Sequence, residues 1–165
     1  MAPDTLLDVT RWSGTTLRIT TGADFTVLRA LFDDPSFLNW GGSGRLPDDQ
    51  IREKYLGSRQ PDVECFIVHA DGQAVGLAML HAEPVGGGID LILLPAARGH
   101  GVGRAAVALL VHQAREQRGW PRITVDPECA NKAGIRFWQA VGFVPDRIVD
   151  EEPGRRPYLL MVLRS

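Results

Sequence analysis

The sequence predicts an α/β fold: a mixed, mostly antiparallel sheet of about seven strands with four helices packed on it. Three observations lead there. Seven segments are rich in β-formers and bounded by turn residues, four stretches carry apolar residues at helical spacing, and the two kinds alternate along the chain. The order is strand, two helices, three strands, helix, strand, helix, two strands, so the helices connect strands that share one sheet. At 165 residues the chain reads as a single domain, 1–165, with enough length to bury a core without disulfide or metal staples.

Residues 1–14 show no clear periodicity and are expected to form an edge segment or a loosely ordered arm. Thr15–Thr20 reads as a short strand. Asp24–Phe32 is a helix with Phe25, Val27, Leu28, Leu31 and Phe32 on one face. A loop rich in aromatics, Gly and Asp runs to Gly42. Pro47 opens a second helix through about Leu56, with Asp48 and Asp49 in its first turn, where the helix dipole favours negative charge. Val63–Ala70 and Ala74–Ala82 form a hairpin around Asp71-Gly72. Gly86-Gly87-Gly88 is read as a breaker, followed by the strand Ile89–Leu94, which Pro95 stops.

Val102–Arg118 is the strongest helix, apolar at 102, 105, 106, 109, 110 and 114 and terminated by Gly119 and Pro121. Arg122–Asp126 is a strand, Asn131–Val141 a helix ended by Gly142, and Phe143–Val149 with Tyr158–Leu163 a final strand pair. The unit Ile89–Asp126 should be a parallel crossover.

Composition excludes several roles. The longest apolar run, Ala105–Val111, is seven residues, far short of a membrane span, and Asp4 and Asp8 argue against a secretory leader. Eighteen basic against twenty acidic residues give no general affinity for nucleic acid or anionic membrane. Cys65 and Cys129 form neither a disulfide framework nor a metal-ligand spacing, so no metal is expected and a cytoplasmic location is.

The densest chemical signal is Arg98-Gly99-His100-Gly101-Val102-Gly103-Arg104, between a strand and the best helix. Three glycines let the backbone take unusual angles and let a ligand approach it. The first amides of the helix lack internal partners and can bind phosphate oxygens, with Arg98, Arg104 and His100 adding donors. The turn is not a Walker loop, which needs Gly-Lys-Ser/Thr, nor a dinucleotide fingerprint, whose third glycine is displaced. The plain alternative is an ordinary flexible connection.

Arg98-x-x-Gly101-x-Gly103 resembles the acyl-CoA pyrophosphate motif of the GNAT superfamily of N-acetyltransferases, and the element order resembles that fold across nearly the whole chain. Trp40-Gly41-Gly42, Gly88-Ile89-Asp90, Asp126-Pro127, Asn131, Ile135-Arg136 and Gly142-Phe143 stand in the order seen in aminoglycoside 6′-N-acetyltransferases, and siderophore-precursor acyltransferases look similar in several of the same places. The resemblance implies acetyl-CoA as co-substrate. It implies that the strands Ile89–Leu94 and Arg122–Asp126 splay apart, that free main-chain groups near Leu93 and Leu94 pair with the pantetheine arm, and that an amide there polarises the thioester carbonyl. It also places Asn131 against the cofactor, compatible with a helix N-cap.

Transfer to an amine requires a base, because the amine is protonated at neutral pH. Asp90 is the first candidate: a carboxylate in the apolar stretch Ile89–Leu94 is costly unless it is paired or useful, and the subgroup's catalytic aspartate falls on it. The alternative is a satisfied ion pair or a solvated edge. Asp126 is the second, either strand-end turn chemistry or an assisting, amine-binding group; Trp40, Asp90, Asp126 and Glu128 are the candidate substrate-binding residues. One departure stands out: where the superfamily often has a Tyr that protonates the leaving thiolate, this chain has Trp138, whose N–H donates a hydrogen bond but is no acid. Tyr158, on another strand, is not promoted in its place. Cys129 has no adjacent base and reads as a bystander, and His69 and His81 read as core or edge residues.

Residues 32–64 hold seven acids against four bases, which suggests a negative acceptor side that draws a polycation, with Trp40 and Phe37 stacking on a sugar. The alternative is that these acids cap helices and solvate a surface. The expected partner is a small-molecule amine, with the protein a monomer or homodimer. Three functions follow: an aminoglycoside-type N-acetyltransferase; the same fold acting on another amine or hydroxylamine, such as a siderophore precursor; or an acetyl-CoA-binding module without turnover.

Overall fold

The structure is a computed structural model that describes residues 14–164. The arm expected at the N-terminus lies, apart from Gly14, outside the described residues. Seven strands form one sheet: β1 (Thr15–Ile19), β2 (Val63–Ala70), β3 (Gln73–Ala82), β4 (Gly87–Leu93), β5 (Ile123–Val125), β6 (Phe143–Val149) and β7 (Tyr158–Leu163). Four helices join them: α1 (Phe25–Phe32), α2 (Asp48–Tyr55), α3 (Val102–His112) and α4 (Lys132–Ala140). The strand order is β1-β2-β3-β4-β5-β7-β6. Neighbours are antiparallel except β4 and β5, which run parallel across the α3 crossover. This is the mixed, mostly antiparallel sheet that the alternation of elements predicts.

Alternation along the strands divides the apolar residues between two faces. Phe66, Val68, Ala78, Leu80, Ile89 and Leu93 pack with α3 and α4 through Val102, Ala106, Leu110 and Trp138. Cys65, Ile67 and Leu77 pack with α1 and α2 through Leu28, Phe32, Ile51 and Tyr55, joined by Met79, Ile92 and Leu94. Asp90 in β4 and His81 in β3 have the parity of this second set, so they belong to the α1/α2 face.

Local chemistry explains the element ends. Asp71 (φ 51°) and Gly72 (φ 79°) both sit in the left-handed region, the geometry that makes Asp-Gly a hairpin turn. Thr21 closes a capping box with Asp24, which puts a 3-10 turn at Gly22–Asp24 and starts α1 one residue later than its apolar spacing suggests. Pro47 is the N-cap of α2 rather than its first residue. Asn131 caps α4, its side chain accepting from Gly134 N–H at 2.9 Å. The long helix is α-helical only to His112 and continues as a π turn over Gln113–Gln117; Trp120 N–H reaches back to Ala114 O at 3.0 Å.

One sequence reading is corrected. Gly86-Gly87-Gly88 does not act as a breaker throughout: Gly86 forms the turn, while Gly87 and Gly88 open β4 and are the residues that pair with β5. Glycine is required there by close approach. A Cβ on Gly87 would overlap the Trp120 ring and the His81 carbonyl, and one on Gly88 would overlap the His81 imidazole. Gly87→Ala should therefore destabilise the fold by about 1–3 kcal/mol, read as a lower urea midpoint at unchanged m-value.

Candidate active site

β4 and β5 pair through Gly87–Ile123 and Gly88–Thr124 and then part. Leu94 N–H donates to Val75 O at 2.8 Å, so Leu94, Ile92 and Asp90 direct their main-chain groups at β3. By alternation Leu91 and Leu93 direct theirs into the gap. The expectation of a free amide at Leu94 is thus corrected to Leu91 and Leu93. A cleft of about 680 Å³ opens along this edge, between β4, the 98–104 turn and α4, with Ser36 and Trp40 on its far rim.

Gly99 (φ 79°) and Gly101 (φ 84°) hold the turn in left-handed backbone, and nothing lies within 4 Å of where their Cβ atoms would be. Gly101 is the N-cap of α3 and has no side chain to cover the first amides. Val102 is fully buried and can offer the site only its main chain. Gly103 packs tightly on the Phe137 ring. Arg104 lines the cleft, and His100 is exposed in the turn. Arg98 has a main-chain partner that the sequence reading does not include. Its guanidinium lines the cleft but donates to Leu93 O at 3.0 and 3.2 Å, tying the turn to the end of β4. The carbonyl was the missing partner, since a strand end next to an Arg gives no local sign of which group the fork will take. Asn131, at the start of α4, lines the cleft. Trp138, 8% exposed, stands in the core with its ring edge-on to Phe137 and Phe143 and forms a wall of the same cleft.

The carboxylates gather where the two strands separate. Asp90 Oδ2 lies 3.2 Å from His81 Nε2. The hydrogen bond to Asp90 holds the imidazole's pKa above its ordinary 6.5, against desolvation and with help from the charges of Asp90, Asp126 and Glu83. His81 stands in β3, as the sequence suggests, and the structure adds its contact with Asp90. Its signal was register: it stands opposite Gly88, two residues from Asp90. Asp126 lies just beyond β5 and is half-buried, its Oδ2 3.2 Å from Arg155 Nη1. Burial pushes its carboxyl above 3.8, the charge of Asp90 pushes the same way, and Arg155 opposes both.

Arg155 belongs to the β6–β7 loop, which no sequence motif ties to the site. It also lies 3.7 Å from Glu152 and 4.0 Å over the Tyr158 ring. Tyr158 donates its hydroxyl to Glu152 at 2.9 Å; burial and this contact raise its pKa, so the phenol keeps its proton. Glu128 is exposed, pairs with Arg156 at 3.9 Å and bridges to Tyr158 through the main chain.

None of the acids of residues 32–64 lines the cleft, and four of them are engaged elsewhere. Asp33 pairs with Arg29 and Arg45, Asp48 with Arg29, Glu64 with Arg118, and Asp34 caps the turn at Ser36. Phe37 is 1% exposed and cannot stack on a ligand, whereas Trp40 reaches the cleft rim and stacks on Tyr55 with ring centroids 5.8 Å apart. Cys129 donates its amide to Pro157 O at 2.9 Å and is half-buried. Among the described residues no cluster of His, Cys, Asp or Glu could hold a metal ion, and no helix is long and apolar enough to cross a membrane.

A splayed parallel pair, a glycine turn capping a helix and a carboxylate group at the fork define an acyl-carrier transferase fold. The chain belongs to the acetyltransferase (GNAT) family, whose model matches residues 27–143. It resembles a solved structure of AAC(6′)-Ib in complex with ribostamycin and coenzyme A, at 27% identity and a TM-score of 0.80 over 91% of this chain and 93% of that one. A spermidine N-acetyltransferase chimera from Vibrio cholerae shares the fold, at 18% identity and a TM-score of 0.76 over 91% and 95% of the two chains. A mycothiol acetyltransferase of Thermomonospora curvata is 28% identical over 80 residues, 47% of this chain and 27% of that protein, so the match spans about a quarter of that relative. Acetyl-CoA is the co-substrate of the family, and the AAC(6′)-Ib complex holds coenzyme A.

Asp126 has a consequence for stability. Its folded-state pKa lies above the unfolded value, so the folded chain binds this proton more tightly. Its contribution to stability is greatest below about pH 3.8 and falls as pH rises through the raised value. Asp126→Asn should remove that fall. Melting temperatures across pH should show the variant gaining on its parent as pH climbs from about 3.8, with the gain persisting at neutrality.

Proposed function

We propose that the chain transfers acetyl from acetyl-CoA directly to a primary amine of a cationic small molecule, the 6′-amine of an aminoglycoside. The observation that carries this reading is the position of Asp90 and Asp126 at the fork of β4 and β5, next to the cleft floored by Leu91–Leu93. The likeness to AAC(6′)-Ib over nine-tenths of both chains supports the acceptor class.

The residues present fit acetyl-CoA. The open Cβ positions of Gly99 and Gly101 and the first amides of α3 suit a diphosphate, with Arg104 beside them. The gap-facing Leu91 main-chain groups and the Leu93 amide can pair with the pantetheine arm as an added strand would. The Leu91 or Leu93 amide can donate to the thioester oxygen as charge develops on it. Asn131 and the Trp138 wall bound the other side. Asp90 accepts the acceptor's proton, and Asp126, with Trp40 and Glu128 flanking, holds its ammonium groups. Trp138 supplies no acid, so water protonates the departing thiolate. Arg155 already sits on Asp126 and competes with a cationic acceptor for it.

The test is thiol release from acetyl-CoA by the purified chain with ribostamycin, kanamycin, spermidine and hydroxylamine. Release with the aminoglycosides and acetylation at the 6′ position are expected. Release with spermidine or hydroxylamine alone would move the acceptor class, and no release with any amine would leave an acetyl-CoA-binding module. Asp90→Asn should lower kcat on the order of 100-fold or more while acetyl-CoA still binds with an affinity within about twofold of the parent. Arg155→Ala should lower the aminoglycoside KM by about two- to fivefold, the size expected from an exposed ion pair.

A further inference from the structure

Asp90 is held by a neighbouring strand. His81 reaches across from β3, its Nε2 3.2 Å from Asp90 Oδ2, while its Nδ1 faces Glu83 Oε1 at 3.9 Å. The imidazole lies over Gly88, directly opposite in the β3–β4 register, where any Cβ would overlap the ring. A glycine at 88 thus leaves the space that lets a β3 side chain meet a β4 carboxylate two residues on. Three elements present charge to this ring: Asp90 from β4, Glu83 from the β3–β4 turn and Asp126 from the end of β5, with Arg155 of the β6–β7 loop held on Asp126.

We propose that His81 is a positioning residue for acetyl transfer: it fixes one oxygen of Asp90, leaves the other for the acceptor amine, and gates the reaction by its own charge. The inference rests on the function proposed above and deepens it. Nε2–H donates to Oδ2, so the carboxylate cannot turn away and Oδ1 is presented to the acceptor. Oδ1 takes one proton from the bound ammonium and frees the nitrogen lone pair. As that nitrogen bonds to the thioester carbonyl carbon the C–S bond breaks, coenzyme A departs as the thiolate, and the second proton shed by the nitrogen passes through water to the thiolate.

An imidazolium competes with the acceptor ammonium for the charge on Asp90. When Nδ1 gives up its proton toward Glu83 or water, the Nε2–H bond remains and the carboxylate's charge is left to the acceptor. The rate should therefore rise as His81 loses its proton, and the surrounding carboxylates put that rise above pH 6.5.

Two measurements test this. The first is an NMR titration of the His81 ring in the purified chain, which needs no acceptor. The ring should titrate above 6.5 in the parent and move down toward 6.5 in Asp90→Asn; equal values in the two would overturn the pairing. The second is the pH dependence of thiol release with ribostamycin. The acid limb of kcat should coincide with the NMR value. His81→Ala should lose on the order of 10- to 100-fold in kcat, toward the low end of acid–base effects, with the acetyl-CoA KM unmoved.

His81→Gln keeps an N–H where Nε2 stood and cannot take up charge, so it should recover most of that loss and lack the limb. Gly88→Ala, which displaces the ring without removing it, should shift the limb. Parent-like kcat in His81→Ala, or a retained limb in His81→Gln, would overturn the proposal. Failure of the parent to turn over any amine would overturn the transfer reading itself, while the NMR result would still report the pair.

Discussion

β4 and β5 run side by side for two residues and then separate, and the rest of the site depends on that parting. A parallel pair continued along its whole length would satisfy every main-chain group and leave no edge. Here the pairing stops at Gly88 and Thr124, so the Leu91 main-chain groups and the Leu93 amide face the gap, where Arg98 takes the Leu93 carbonyl. The same parting sets the glycine turn at one end of the opening and Asp90 and Asp126 at the other. The two glycines that begin β4 take part in it, since they let Trp120 approach on one face of the sheet and His81 on the other.

The two faces divide the labour. α3 and α4 pack on one, and they bring the first amides of α3 and the Trp138 wall to the cleft. α1 and α2 pack on the other, where His81 and Asp90 lie and where Trp40 stacks on Tyr55 at the rim. A β-strand serves both because its side chains alternate. Leu91 and Leu93 belong to the α3/α4 face and turn their main chain into the gap, while the alternating Asp90 and Ile92 look the other way. In the proposed reaction one strand would therefore offer amides to the thioester carrier and a carboxylate to the acceptor within four residues, 90–93.

What could be seen in the sequence was what neighbours in the chain determine. The hairpin at Asp71-Gly72, the Asn131 cap and the turn around Gly99 and Gly101 each follow from backbone chemistry within a few residues, and each is found. The α3 crossover followed from element order. Contacts across strands were hidden. His81 looked like an ordinary strand residue because its meaning lies in the register with Gly88, and Arg155 lay in a polar loop with nothing to say that it folds back on Asp126. Glycines and arginines together suggest a phosphate site around Arg98, but nothing local shows that its guanidinium also takes the Leu93 carbonyl, five residues back on a strand end. The acids of residues 32–64 summed to a charge, but a sum does not show that Arg29, an α1 residue, and Arg118, beyond the end of α3, lie beside Asp33, Asp48 and Glu64.

The two carboxylates at the fork differ in the kind of cation each has. Arg155 is permanently charged, so Asp126 stays compensated unless the β6–β7 loop moves or another cation takes the place of the guanidinium. His81 can gain or lose its charge, so Asp90 can be compensated or bare without any movement of the backbone. A group that must hold an ammonium is served by a partner that an incoming cation can replace. A group that must take a proton is served by a partner that can withdraw its charge while keeping its hydrogen bond. On that ground Asp90 suits the base and Asp126 the acceptor's anchor, and the assignment follows from the partners rather than from the carboxylates themselves.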